Sequence, residues 1–438
     1  MLPDKSDLES RTLRKVAWRL IPFLFLLYVF NILDRTNINV AQLTMEEDLS
    51  LSKTALGLGS GIFFIGYFFF QVPSNLMLER TGARKWIAGV VMAWGIVAAC
   101  LAFVRDPISF YGLRFLLGVA QAGFFPGIVL YLTYWFPDAI RGRAAARFLL
   151  ANATAGILGN PIGGMLLQLD GAGGLQGWQW LFLLEGIPTF LLGFTVLIFM
   201  TDRPTSARWL SIEERDWLLE KLRAENERRQ KHHSVPLYGV FRYPRVLHLG
   251  AFFFVNAVAG SGLGFFTNPL LKERLQGQGN MQILLIATLP TIVGALSLLF
   301  FSSLSDRMGE RRRLVVAGMV IAAIGVAVVA LTRSAWQTVA ALCLINIGLQ
   351  CANAPFWALA SSFLSGAAAA AGLAFINSIG NSGSFFGPII TGWLKDRTGD
   401  FQTGLFLASG IWLVAALVAY LLPEDPARAS LQKAGKGG

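Results

Sequence analysis

The sequence predicts an all-α membrane protein with twelve transmembrane helices arranged in two six-helix halves. Of its 438 residues, 54% are hydrophobic and 14% are charged, whereas a soluble protein carries about a quarter charged residues. The apolar residues fall in stretches of roughly 20, long enough to cross a hydrocarbon core of about 30 Å. The last six stretches also repeat features of the first six. A soluble enzyme and a disordered chain are therefore excluded.

The apolar stretches define twelve predicted spans, numbered 1 to 12 in chain order. The longest connection is 201–244, where Ser211 and the acids after it indicate a capped, charged helix that runs to about Arg229. We therefore expect a six-helix bundle in 1–200, a cytoplasmic linker with an amphipathic helix in 201–244, and a second bundle in 245–438. The predicted spans are 18–41, 54–78, 85–104, 108–136, 142–167, 179–200, 245–271, 281–303, 312–331, 336–364, 367–394 and 402–422.

The 37 Lys and Arg residues are distributed unevenly over the connections. If the N-terminus is inside, seven lie in outer loops, two lie within spans, and the remaining 28 lie in cytoplasmic segments. This bias predicts that both termini and the linker are cytoplasmic. It also accounts for the net charge of +11, because basic loops lie beside anionic lipid, and nucleic-acid binding is not expected. The spacing of the three cysteines and three histidines predicts no disulfide, metal site or cofactor.

The two halves carry the same loop pattern at equivalent places. The loop after span 8 follows the loop after span 2 by 227 residues, and the same offset takes Gly156 to Gly383 and Pro161 to Pro388. Six plus six spans in a parallel repeat indicate a transporter. We expect the loops to hold helix ends together in one conformational state. Their residues are Glu79, Arg80, Gly82 and Arg84 after span 2, and Asp306, Arg307, Gly309 and Arg311 after span 8.

Five further motifs lie in or beside spans 1, 4, 6 and 11. Each motif alone is moderately specific for a protein family, and the order of all five along the chain makes the set much more specific. They are Asn31-Ile-Leu-Asp34-Arg35-Thr-Asn37, Arg114-Phe-Leu-Leu-Gly118-Val-Ala-Gln121-Ala-Gly-Phe-Phe-Pro126, Tyr134-Trp-Phe-Pro137, Glu185-Gly-Ile-Pro188 and Ile376-Asn377-Ser-Ile-Gly-Asn381.

The repeated loops resemble the signature loop of the major facilitator superfamily, and the five motifs resemble the anion:cation symporter family in its bacterial tartrate- and phthalate-transporter-like branch. The resemblance covers nearly the whole chain. It implies the major facilitator fold, the bacterial inner membrane, and proton-coupled uptake of a small organic anion such as tartrate, phthalate or a sugar acid by alternating access. The expected partners are a small carboxylate, protons and the lipid bilayer, with a monomer sufficient. Proton-antiport export of drugs or metabolites remains the alternative.

Apart from the residues near the cytoplasmic ends, four charged residues lie inside predicted spans, where a charge costs about 2.5–3.5 kcal/mol on insertion scales. Arg35 presents a planar fork that suits the carboxylate of a substrate. Its neighbour Asp34 points about 100° away on a helix and lies at a depth similar to that of Arg114. We expect an Asp34–Arg114 ion pair that acts as a proton-linked gate, with a static structural pair as the alternative. Glu185 is expected to be interfacial or structural rather than a coupling residue.

Position 121 departs from the family pattern, in which proton-coupled members carry glutamate seven residues after the arginine of span 4. Gln121 shares a helix face with Arg114 and is expected to face the cavity. Two explanations stay open: this transporter couples differently, or the glutamine replaces a glutamate, which the family-like flanking residues favour. Under the second, proton-driven accumulation is weak and Gln121→Glu restores it.

The family's substrate positions carry side chains that can orient hydroxyls or carboxylates without adding charge. Interhelical hydrogen bonding is the alternative role for them. They are Tyr67 in span 2, Asn152 in span 5, Asn353 and Trp357 in span 10, and Asn377 in span 11.

Overall fold

The computed structural model of the chain describes residues 5–231, 243–308, 311–362 and 366–422, and within these ranges it contains helices and no strand. Each predicted span is one helix or two consecutive helices, so the predicted fold class is confirmed. The spans are Lys5–Thr36 with Ile38–Asp48, Lys53–Thr81, Ala83–Cys100, Pro107–Gln121 with Phe124–Trp135, Asp138–Leu167, Gly177–Phe199, Pro244–Arg274, Asn280–Met308, Arg311–Leu331, Ala335–Ser362, Gly366–Thr398 and Gln402–Tyr420.

Spans 5 and 11 are less apolar than the rest. Among the described residues, ten helical segments are long and apolar enough to cross a membrane, and these two helices are not among them. Each packs against helices of both halves: span 5 against spans 1 and 8, and span 11 against spans 2 and 7. Because much of their surface faces protein, they carry Gly, Ala, Ser and Asn where a lipid-facing helix carries Leu and Ile.

Two spans are broken beside residues that the sequence singled out. Span 1 breaks at Asn37, one turn after Asp34, where a second helix begins at Ile38. Span 4 breaks after Gln121, and Gly123 occupies a position where a Cβ would clash with Ser74. Both interruptions are slight, because Asn37, Ala122 and Gly123 keep right-handed helical φ and ψ angles.

The two halves, spans 1–6 and spans 7–12, meet through equivalent helices. Span 2 packs against span 11, and span 8 packs against span 5. The sequence repeat relates span 2 to span 8 and span 5 to span 11, so these two contacts are equivalent. The glycine-rich start of span 2 permits close approach, because a Cβ on Gly57 would clash with the carbonyl oxygen of Pro388.

The hydrogen bonds that join described residues of the two halves all lie at one end of the bundle. This end carries residues 39–54, 265–280 and 392–402 and is called the closed end; the opposite end is called the linker end. Gln42 Nε2 donates to Phe265 O at 2.6 Å, and Lys272 Nζ donates to Leu43 O at 2.7 Å. The halves are thus held together at the closed end.

Asp396, just beyond predicted span 11, forms the most extensive of these contacts, called the clasp. Its carboxylate accepts from the amides of Lys53 at 3.0 Å and Thr54 at 2.7 Å, and from the Thr54 hydroxyl at 2.5 Å. A side chain of one half therefore caps the N-terminus of span 2 in the other. Burial opposes ionisation, but the hydrogen bonds from Thr54 and Lys53 outweigh it and lower the pKa of Asp396 below its ordinary value of 3.8.

The linker contains the predicted amphipathic helix, which runs from Ile212 to Lys231. Ser211 caps it: the Ser211 hydroxyl accepts from the Glu214 amide at 3.2 Å, and the Glu214 carboxylate accepts from the Ser211 amide at 2.9 Å. Glu214 also accepts from Lys15 Nζ at 2.9 Å, which joins the linker helix to span 1.

The signature loop after span 2 is bound within its own half. Gly82 has a φ of +87°, a conformation that favours glycine. The Arg84 amide donates to Asp202 Oδ1 at 2.8 Å, which ties the loop to the segment after span 6. Glu79 and Arg80 are exposed and form no ion pair with a described residue. The loop thus makes no ion pair to the other half in this state.

The equivalent loop after span 8 is described only in part. The side chains of Asp306 and Arg307, and the whole of Gly309, lie outside the described residues. Arg311 Nη1 donates to the carbonyl oxygen of Ala358 at 3.2 Å, again within one half.

Candidate functional site

Arg35 and Arg114 lie over the same aromatic ring and are called the cation pair. Their guanidinium carbons are 5.3 Å and 5.2 Å from the centroid of Phe63. Arg35 is also 4.8 Å from the centroid of Phe64 and 5.5 Å from that of Tyr67. Cation–π contacts contribute about 0.5–2 kcal/mol and orient the guanidinium. Among the described residues, neither arginine has a carboxylate within 4 Å.

The predicted ion pair between Asp34 and Arg114 is wrong for this structure. Arg114 Nε donates to the carbonyl oxygen of Gly59 at 3.1 Å, and its buried Nη1 has no hydrogen-bond partner among the described residues. Asp34 Oδ2 instead accepts from Trp94 Nε1 at 2.9 Å and from the Thr189 hydroxyl at 2.8 Å. A similar depth in the membrane was not sufficient to bring the two side chains together, because Asp34 faces spans 3 and 6 whereas Arg114 faces span 2.

Glu185 lies inside the bundle, beside Asp34, so of the two expected roles, interfacial or structural, its position does not fit the interfacial one. Its side chain is 4% exposed, and its Oε2 accepts from Asn37 Nδ2 at 2.9 Å. The Thr189 hydroxyl lies 2.8 Å from both Asp34 Oδ2 and the main-chain oxygen of Glu185. The two carboxyl groups also interact electrostatically. We call Asp34 and Glu185 the acid pair.

Gln121 is not on the cavity wall, contrary to the sequence expectation. It shares the buried face of span 4 with Arg114, as the spacing predicted, and both side chains are 1% exposed. It lines neither of the cavities described below. Both of its amide atoms are without a hydrogen-bond partner among the described residues.

A central cavity of about 380 Å³ lies between the halves, on the closed-end side. Asn152, one of the predicted substrate-binding residues, lines it. At the closed end, Asn268 Nδ2 donates to Asn39 O at 2.9 Å and lies 3.2 Å from Asn160 Oδ1, so amides from both halves close this end of the cavity. The polar residues that line it are Thr36, Asn37, Asn39, Asn152, Asn160, Glu185, Thr267, Asn268, Thr291 and Asn346.

A second cavity of about 410 Å³ lies in the C-terminal half and shares Gly260 and Leu349 with the central cavity. Asn353 lines it, as predicted, whereas Asn377 lines neither cavity. Trp357 packs against Phe356, which is part of the wall, with ring centroids 5.2 Å apart.

Sequence reasoning missed three amides on the wall of this second cavity: Asn256, Gln350 and Asn381. Asn381 lies one helical turn after Asn377 in the same motif. Asn256 is an amide within an apolar run, where a polar side chain needs a partner; its Oδ1 accepts from Trp412 Nε1 at 2.9 Å. Both signals were present in the sequence.

Two equivalent helical halves with a polar cavity between them form the architecture of a membrane transporter. The Major Facilitator Superfamily model matches residues 24–385 and 266–438. The chain belongs to this superfamily, and it is a multi-pass membrane transporter rather than an enzyme.

Two relatives and one solved structure illustrate the similarity. A protein of Agrobacterium vitis named "Putative tartrate transporter" is 46% identical over 417 residues, covering 95% of this chain and 96% of the relative. A "Quinolone resistance transporter" of Acinetobacter baumannii is 37% identical over 95% of this chain and 96% of its own. The crystal structure of a bacterial homologue of the human lysosomal transporter Spinster shares the fold, with a TM-score of 0.79 at 18% identity, over 93% of this chain and 97% of its own.

Proposed function

We propose that this transporter takes up a small organic anion together with protons, by alternating access across the bacterial inner membrane. The observation that carries the proposal is the cation pair. Two positive charges lie inside the bundle, and neither has a described carboxylate within 4 Å. A charge without an ion-pair partner in the membrane interior is costly, and the carboxylate of a substrate supplies such a partner.

The geometry favours a substrate with two carboxylates. Arg35 is half-buried, and its planar guanidinium is oriented by Phe63, Phe64 and Tyr67, which suits bidentate binding of one carboxylate. Arg114 supplies a second positive charge beside the same ring. The relative from Agrobacterium vitis supports this class, because tartrate is a small dicarboxylate.

In an alternating-access cycle, the contacts at the closed end shut the transporter on one side of the membrane. The positive-inside bias of the loops places the linker end and both termini in the cytoplasm. The closed end then faces outward, and the structure corresponds to an inward-facing state. The clasp and the Asn268 contacts would have to break for substrate to enter from outside.

Export of drugs is the second candidate, and the relative from Acinetobacter baumannii is the observation that favours it. A cavity for cationic drugs needs acids that face the ligand without competing cations. The cation pair opposes purely cationic ligands, but a quinolone carries a carboxylate of its own, so we rank export second because the tartrate-transporter relative is the more similar of the two, at 46% against 37% identity.

A binding panel on the purified protein separates the two candidates. Tartrate, phthalate, a monocarboxylate of similar size and a quinolone are titrated calorimetrically at one pH and salt concentration. The proposal predicts that dicarboxylates bind more tightly than the monocarboxylate, because only they engage both arginines. Quinolone binding that dicarboxylates do not displace, with no dicarboxylate binding, would support export instead.

A further inference from the structure

The acid pair contains both carboxyl groups of the bundle interior. Away from the ends of the spans, the described bundle interior carries four charged residues: Asp34, Arg35, Arg114 and Glu185. Glutamine at position 121 cannot bind a proton in place of a carboxylate. A proton that crosses with substrate on a carboxyl group therefore has only Asp34 and Glu185 available.

We propose that Glu185, which lies beside Asp34, is the residue that receives protons from the cavity and couples them to transport. This inference rests on the proposed proton-coupled uptake. It takes the first of the two explanations for Gln121, namely that this transporter couples differently from relatives with a glutamate there.

The position of Glu185 gives it access to protons. It lines the central cavity, and no other ionisable side chain does. Asp34, by contrast, is fully buried and lines neither cavity. A proton from the cavity therefore meets Glu185 before it meets Asp34.

The hydrogen bonds of Thr189 accommodate Asp34 in both protonation states. The Thr189 hydroxyl has one hydrogen but lies 2.8 Å from two acceptors, Asp34 Oδ2 and the main-chain oxygen of Glu185. When Asp34 is ionised, the hydroxyl donates to its carboxylate. When Asp34 is protonated, its O–H donates to Thr189, whose hydrogen turns to the carbonyl. No heavy atom has to move, so Asp34 keeps a hydrogen-bond partner in either protonation state.

Among the described residues, no cation forms an ion pair with either carboxylate of the acid pair. Around Asp34, span 3 contributes Trp94 and span 6 contributes Thr189 and Glu185. On span 1 itself, Arg35 turns to the rings of span 2, where Arg114 also lies. The interior is thus divided into a cation pair and an acid pair, with Asp34 and Arg35 adjacent in the chain.

This division links substrate to protons by charge alone. With both carboxyls ionised and no substrate, the four interior charges cancel. An anion bound at the cation pair leaves the acid pair in excess, so substrate binding favours its protonation. Because linkage is reciprocal, protonation favours substrate binding to the same degree.

The test compares the full-length parent, Glu185→Gln and Glu185→Asp in proteoliposomes with labelled tartrate as the probe. Glu213→Gln, an exposed carboxylate on the linker helix, is the matched control. Two readouts are taken: accumulation under an inward proton gradient, and counterflow with tartrate on both sides and no gradient. One pH unit supports about tenfold accumulation for each coupled proton.

We expect the parent and Glu213→Gln to accumulate tartrate with the gradient. Glu185→Gln should lose about tenfold for each pH unit while keeping counterflow, and Glu185→Asp should recover accumulation. Counterflow shows that Glu185→Gln is folded; if it does not fold, Asn37→Ala removes the hydrogen bond to the Glu185 carboxylate and should reduce gradient-driven accumulation while counterflow is kept. Gradient-driven accumulation in Glu185→Gln equal to that of the parent overturns this inference alone. A parent that exchanges tartrate but ignores the gradient overturns the proposed proton coupling as well.

Discussion

Replacing Arg35 tests the substrate site most specifically. Arg35→Lys keeps the positive charge but loses the planar fork and the stacking on Phe63, Phe64 and Tyr67, whose centroids lie 4.8–5.5 Å from the guanidinium carbon. A charge-assisted hydrogen bond contributes about 1.5–3 kcal/mol. Losing one of the two bonds of a bidentate contact should therefore weaken tartrate binding roughly ten- to a hundredfold. Arg35→Ala should weaken it further, because the charge is also lost.

The assay is isothermal titration of purified protein with tartrate, repeated at two salt concentrations. Arg203→Lys is the matched control, since Arg203 also stacks on an aromatic ring, 3.8 Å from the centroid of Tyr134, but lies in the linker rather than at the cation pair. Its affinity should equal that of the parent. Tartrate affinity unchanged in Arg35→Ala would refute the assignment of the substrate site.

Three further predictions concern topology, the clasp and position 121. Single cysteines at Gln230 and Gly171 should label from opposite sides of the membrane in intact cells, and labelling of both from outside would contradict the twelve-span topology. Asp396→Asn should populate the outward-open state, seen as longer spin-label distances across the closed end. Because the pKa of Asp396 is lowered in the clasp, the clasp is fully formed above the ordinary pKa of 3.8 and weakens only as the pH falls through the lowered pKa. The spin-label distances in the parent should therefore stay constant between about pH 5 and 8. A change in these distances within that range would contradict this account of the clasp. Gln121→Glu should leave gradient-driven accumulation unchanged, and a gain confined to the glutamate form would return the coupling role to position 121.

Hydropathy and the internal repeat were sufficient to predict the fold. Stretches of apolar residues located all twelve spans, including spans 5 and 11, which are less apolar than the other ten because much of their surface faces protein. The repeat makes the contact of span 2 with span 11 equivalent to that of span 8 with span 5, but these contacts were seen only in the structure.

The pairing of interior charges could not be predicted in the same way. Depth along a span follows from residue count, but the direction of a side chain depends on which helices are neighbours. Asp34 and Arg114 have similar depth yet face different spans. The Asp34–Glu185 pair needs the contact between spans 1 and 6, which no spacing in the sequence encodes. The burial of Gln121 likewise depends on how span 4 packs where it breaks.

The most direct test of the account is tartrate accumulation by the unmodified chain in proteoliposomes, with the external pH one unit below the internal pH. The account predicts accumulation of about tenfold for each coupled proton, abolished by a protonophore and competed by phthalate. Absence of both accumulation and exchange of tartrate, together with gradient-dependent expulsion of a quinolone, would contradict it.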